Sequence, residues 1–322
     1  MIKRDWRRLK GLKSGLMLVL GLLLVLPLMA GEEYQEKFER TEKLSRDGLV
    51  AVNNVSGDIR IMVWKEEKVK IEAVKYSRAS SQPKAKENAD KVKIEVTAGP
   101  GLVRIETKYP ESRKWFGGDS NVSVDYTLWI PDKASIETRS VSGDVEVEKA
   151  GGAVRVSAVS GSLSLVGGTG TISAKTVSGN VRITEAGGDC ELNSVSGDIY
   201  LNRARGSVEA EVVSGTVKLL DITEARRVSA KSVSGNVEYR GQVLPGGVYR
   251  FTSHSGEVRL FLPGDSSFDL EASSFSGSVT TDFPVQVIGK LSGKTIQGRV
   301  GKGGAEVQAK AFSGSVEIRK GS

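Results

Sequence analysis

The sequence predicts an all-β chain wound into a parallel β-solenoid, or β-helix, of about ten two-strand rungs with a β-rich N-terminal cap. Three observations point to this. The phrase Val-Ser-Gly-x-Val/Ile/Leu recurs down most of the chain, its first five glycines each 18 residues apart. Between phrases, apolar and polar residues alternate with a period of two, the mark of a strand with one buried face. Eighteen residues are also too few to hold a crossover helix, so each strand stacks on its equivalent one turn later, in rungs about 4.8 Å apart.

The phrase reads Val141-Ser142-Gly143-Asp144-Val145, and returns at Gly161, Gly179, Gly197, Gly215 and Gly235. Looser copies stand at His254-Ser255-Gly256, Phe275-Ser276-Gly277, Ile296-Gln297-Gly298 and Phe312-Ser313-Gly314. Within one repeat, Val145 and Val147 alternate with Glu146 and Glu148, giving a strand. Lys149 to Gly152 is a turn by composition, and Val154 and Val156 begin a second strand. Val181, Ile183, Ile199 and Leu201 are expected to face inward, and Asn180, Arg182, Asp198 and Tyr200 outward. Glycine suits a corner that needs positive φ or a close backbone approach. The serine before it is expected to bond the backbone of its own corner or of the next rung.

Residues 34–135 lose the 18-residue beat but still read as strands: 49–53, 58–64, 69–76, 92–97, 102–107 and 122–130. A short helix is expected over 81–91, with Pro83 near its start. One early phrase, Val55-Ser56-Gly57-Asp58-Ile59, lies inside this segment. Residues 31–135 are therefore assigned as a capping region, because a bare terminal rung exposes core and unpaired backbone. Residues 136–322 are assigned as the repeat domain.

The chain opens with six Lys/Arg and an apolar run from Leu16 to Met29, followed by Ala30-Gly31, which is the pattern of a secretory signal peptide over residues 1–30. Export to the periplasm, cell surface or medium follows as an expectation. The formal charge of +7 is mostly local to this start. Beyond residue 30 there are 40 basic and 38 acidic residues, so no basic nucleic-acid footprint exists. Cys190, the single cysteine, falls on an inward position and is expected to act as a small hydrophobe.

No chemistry-bearing constellation stands out: no catalytic residue, cofactor site or metal site is assigned. His254, the single histidine, replaces the phrase valine at an inward or corner position. The carboxylate rows Asp144/Glu146/Glu148 and Glu209/Glu211 read as solvated strand faces. Candidate partner contacts are Trp115 and Phe116 on a Gly-rich loop, and outward Tyr200 and Phe261. A lid of Trp115 and Phe116 over the first rung is the competing role for that pair.

The phrase array resembles an exported bacterial family of unknown function, the putative adhesins with Ser-Gly-Asp-Val-type β repeats. Asn54 to Ile61 followed by Trp64 looks like the family's opening, and Asn121 to Tyr126 followed by Ile130-Pro131 looks like its strand into the coils. The resemblance covers most of residues 45–320; bactofilin-like solenoids are a more distant likeness. It implies export and a solenoid fold and supplies no catalytic residues. Three functions remain open: a non-catalytic envelope-binding module for a glycan or protein, a structural scaffold, and a polysaccharide-active enzyme. The scaffold would assemble end to end through the C-terminal rung, Phe312 to Ile318, for which no following cap is evident.

Overall fold

In the computed structural model, residues 32–110 and 121–321 are described. They form two long sheets, one of 13 strands and one of 14, and a single helix, Gln82–Lys91. Through the repeats, each rung gives one strand to each sheet. Val154–Ser160 pairs in parallel with Ser135–Ser142 on one side and Ile172–Ser178 on the other, every residue opposite its equivalent 18 positions away. The parallel β-solenoid with inward apolar columns is what the alternation predicts. Val145, Val147, Val181, Ile183, Ile199 and Leu201 are all buried, while Asn180, Arg182 and Asp198 are exposed. The two sheets close on a continuous apolar core.

The corner glycines stack one on another. Gly161 has φ +141°, and a Cβ there would meet the carbonyl oxygen of Gly143 at 2.1 Å, so both reasons for glycine hold at once. The corner is tied by backbone hydrogen bonds between rungs, such as Gly161 N–H to the Ser178 carbonyl at 3.0 Å. The residue after glycine adds a side-chain tie. Asp144 Oδ1 accepts the Ser162 N–H at 2.7 Å, Asn180 Oδ1 the Asp198 N–H at 2.8 Å, and Asp198 Oδ1 the Thr216 N–H at 2.7 Å. This accounts for the recurrence of Asp and Asn after the glycine.

Following the glycine contacts from rung to rung gives the order Gly57, Gly143, Gly161, Gly179, Gly197, Gly215, Gly235, Gly256, Gly314, Gly277. The early phrase at Gly57 is thus a true rung, with Leu49–Ser56 and Ile59–Trp64 stacked on the strands of the next. The phrase at Gly298 is not. Thr295–Val300 runs antiparallel to Phe268–Ser274 and forms a hairpin with Val285–Ser292.

The C-terminal rung corrects the expectation that it ends the rod. Glu306–Ala311 and Val316–Lys320 insert between the rungs of Gly256 and Gly277, paired on both sides, so neither strand has a free edge. The physical ends lie elsewhere. At one end, Glu32–Lys43 and Lys68–Ala79 close the first sheet with antiparallel strands, and Lys93–Gly99 closes the second. At the other, the 285–300 hairpin closes one sheet and the three-residue strand Val279–Thr281 ends the other.

The helix packs Ala85 and Ala89 inward near Lys68–Ala79. The strand Glu32–Lys43 was not legible in sequence: its residues EEYQEKFERTEK are exposed or half-buried throughout, with no apolar face to mark it. Where the repeat lengthens beyond Gly215, the core takes larger side chains. Tyr239, Tyr249 and Phe251 are fully buried, with the Tyr239 and Phe251 rings 4.9 Å apart. The Tyr249 hydroxyl donates to the Ala225 carbonyl at 2.6 Å and accepts the Leu244 N–H at 2.8 Å, so its burial leaves no orphan polar atom.

Candidate functional site

The corner that carries the phrase is an uncharged apolar ridge. Val141, Val159, Val177, Val195, Val213 and Val233 are each 44–50% exposed and lie one per rung. In the rungs that follow, His254, Phe312 and Phe275 occupy the same column and are exposed as well. Their rings stack: His254 on Phe312 with centroids 4.7 Å apart and planes 9° apart, and Phe312 on Phe275 at 4.7 Å and 3°. That spacing is close to the strand repeat, so the sheet itself sets the stack. His254 therefore stands at the corner and faces outward.

Strand parity places the ridge. Val154, Val156 and Ala158 face the core, so Val159 faces out, and the turn then leaves Ser160 outside too. The same parity corrects the role expected of the phrase serines, which are exposed from Ser142 through Ser234. The corner hydroxyl bonds come from the buried residue two positions earlier. Ser194 donates to the Gly179 carbonyl at 3.1 Å, Ser232 to Gly215 at 2.9 Å and Ser253 to Gly235 at 2.8 Å. Alternation carried this signal, and reading the phrase as one unit hid it.

Of the contacts expected from sequence, Trp115 and Phe116 lie outside the described residues. Tyr200 and Phe261 sit on the outer face of the 13-stranded sheet, half-buried. Each is covered from the preceding rung by an arginine, Arg182 at 4.7 Å from the Tyr200 ring and Arg240 at 4.9 Å from the Phe261 ring. The structure does not bring these residues together with the ridge. The carboxylate rows pair with cations across rungs, Glu146 with Arg60 at 2.8 Å and Glu211 with Lys231. Among the described residues, no group of three or more His, Cys, Asp or Glu side chains is placed to hold a metal ion. No helix among them is long and apolar enough to cross a membrane.

Buried titratable groups serve packing. Burial pushes the Cys190 thiol up to about 12, where it sits in register between Ile172 and Val208. Burial likewise raises the Tyr126 hydroxyl to about 12. That hydroxyl shares a buried network with Thr107 at 2.7 Å, and Thr107 donates to Asn54 at 2.9 Å. Asn54 in turn donates to the Val124 carbonyl at 2.8 Å, tying the early phrase to the cap.

A stack of rungs with one uncharged corner ridge defines a repeat protein of the kind that presents long faces. The chain belongs to the Toastrack DUF4097 family, whose profile matches residues 49–242. Among solved structures, a putative adhesin from Parabacteroides distasonis ATCC 8503 is similar at 13% identity, over 89% of this chain and 97% of that one, with a TM-score of 0.51. A putative adhesin from Bacteroides fragilis NCTC 9343 is 13% identical over 88% of this chain and 97% of its own, with a TM-score of 0.40. At these identities the first likeness is one of fold, and the second adds nothing to it. A comparison with curated proteins gives no match.

Proposed function

We propose that this protein is an exported, non-catalytic adhesion-type module that holds a component of the cell envelope, a glycan or a protein, along its corner ridge. The observation that carries the proposal is the unbroken exposed column from Val141 to Phe275, apolar except at His254. Scattered exposed valines need no explanation, but a contiguous apolar patch of this extent marks an interaction surface. The adhesin description of the Parabacteroides distasonis neighbour agrees with this role. The charged start of residues 1–30 supports export.

The test is retention of the purified protein on immobilised envelope material, comparing wild type with a Val159→Ser, Val177→Ser, Val195→Ser triple variant. These side chains point away from the core, so the variant should fold normally and lose most of its retention. Equal retention would remove the ridge from the function. Cell fractionation tests export separately.

Self-assembly as an envelope scaffold retains one observation in its favour. The edge strand Val285–Ser292 exposes Val287, Ile288 and Leu291 beside an unpaired backbone. Light scattering across a wide concentration range decides this: a mass that climbs, and stops climbing in Ile288→Lys, would favour the scaffold.

A further inference from the structure

The geometry points to a binding site for an acidic saccharide at the aromatic end of the ridge, with Phe275 as its platform and Lys294 as its anion contact. The inference rests on the adhesion role proposed above and names the ligand class for one part of that surface.

The site exists because the last rung folds back. Phe312 is inserted between His254 and Phe275, and three rings from distant parts of the sequence become one stack. Phe275 belongs to the terminal rung, and at 67% exposure it is the most exposed large apolar side chain among the described residues. The next strand in the sheet belongs to the 285–300 hairpin, whose turn brings Gly293 and Lys294 beside residues 274–279. Gly293 has no side chain, and a Cβ there would meet nothing within 4 Å. The stack therefore ends on an open ring face. A ring this exposed adds little to its own fold, whereas an open aromatic face suits a flat ligand with an apolar side.

One cation stands beside that face. Lys294 Nζ donates to the Phe275 carbonyl at 3.0 Å, which fixes the ammonium next to the platform and leaves two of its protons free for a ligand. Ser273 and Lys310 line the furrow along the edges of Phe275 and Phe312. Lys310 is already paired with Glu271 at 2.9 Å, so the anion contact falls to Lys294. A sugar ring presents one face of C–H groups for Phe275 and a rim of hydroxyls that can reach Ser273, two residues earlier on the strand that leads into it. A carboxylate on that ring meets Lys294. A purely apolar ligand would leave the lysine unused, and a bare anion would leave the ring unused.

The test is affinity electrophoresis and titration calorimetry of the whole chain with polygalacturonate, its methyl ester and dextran as probes. Wild type should bind polygalacturonate and prefer it to the uncharged ester. Phe275→Ala should weaken binding by about tenfold or more, and Phe275→Trp should retain it. Lys294→Met should erase the preference for the acid while leaving the residual binding to the ester. Thermal melting shows whether each variant is folded, which the outward position of Phe275 leads one to expect. Absence of polygalacturonate binding, or binding that Phe275→Ala leaves unchanged, overturns the inference. If the saccharide result is negative while the valine-ridge variant still loses envelope retention, this inference fails and the adhesion role stands. If envelope retention ignores the ridge while polygalacturonate binding depends on Phe275, the adhesion role fails and the saccharide site stands.

Discussion

A Cβ placed on Gly179 would lie 2.0 Å from the carbonyl oxygen of Gly161, and Gly179 itself has φ +152°. The contact repeats at each corner of the stack, so the spacing between rungs depends on the absence of a side chain there. Gly179→Ala should force two rungs apart and destabilise the protein by roughly 3 kcal/mol or more. Chemical denaturation measures this. A loss no larger than that of a surface mutation would show that the corner is plastic.

Adjacent residues on one strand should respond in opposite ways. Val181 is 1% exposed, so Val181→Asp buries an unpaired charge and should cost about 3 kcal/mol or more. Arg182 is exposed and its guanidinium lies over Tyr200; Arg182→Asp should cost no more than about 1 kcal/mol. Equal shifts in melting temperature would refute the inward and outward assignment.

The column of buried hydroxyls contains a built-in control. Ser232 donates to the Gly215 carbonyl, so Ser232→Ala should lose about 1 kcal/mol. Ser140 occupies the equivalent position in an earlier rung, and its hydroxyl is buried without a partner. The same column holds Ala158 and Val212, both buried. Ser140→Ala should therefore be neutral or stabilising by up to about 1 kcal/mol. Melting curves of the two variants should move in opposite directions, or one should not move at all.

Cys190 should make stability fall at alkaline pH. Burial raises its thiol from 9.0 to about 12, so the folded state favours the neutral form. That contribution is complete below pH 9 and is lost as pH rises toward 12, at a slope of about 1.4 kcal/mol per pH unit. Several buried tyrosines act in the same direction, so the comparison needs Cys190→Val, which the column of Val154 and Val208 shows to fit. The difference between the two denaturation profiles should open above pH 9. Profiles that stay parallel would mean that the thiol is accessible. Native protein should also resist thiol reagents at pH 8 and react once unfolded.

The sequence by itself determined the solenoid, its inward columns and its corners. In this fold the neighbour of a residue is its own equivalent one repeat away, so local alternation and the glycine spacing already encode the packing. The predicted helix over 81–91 also stands, as Gln82–Lys91, because Pro83 sits in its first turn. Only the tertiary structure decided where the rungs go when the period breaks. The phrases at Gly57 and Gly298 both place a glycine midway between two β-branched apolar residues, yet the first stacks as a rung and the second lies in an antiparallel hairpin. The last rung likewise takes its place between two earlier ones through pairings such as Tyr249 with Val307 and Leu270 with Val307. Strand pairing is chosen by contacts made across the whole sheet, and a five-residue phrase carries no record of which edge was free when it docked. The stacked rings of His254, Phe312 and Phe275 follow from that choice, so the candidate saccharide site became visible only in three dimensions.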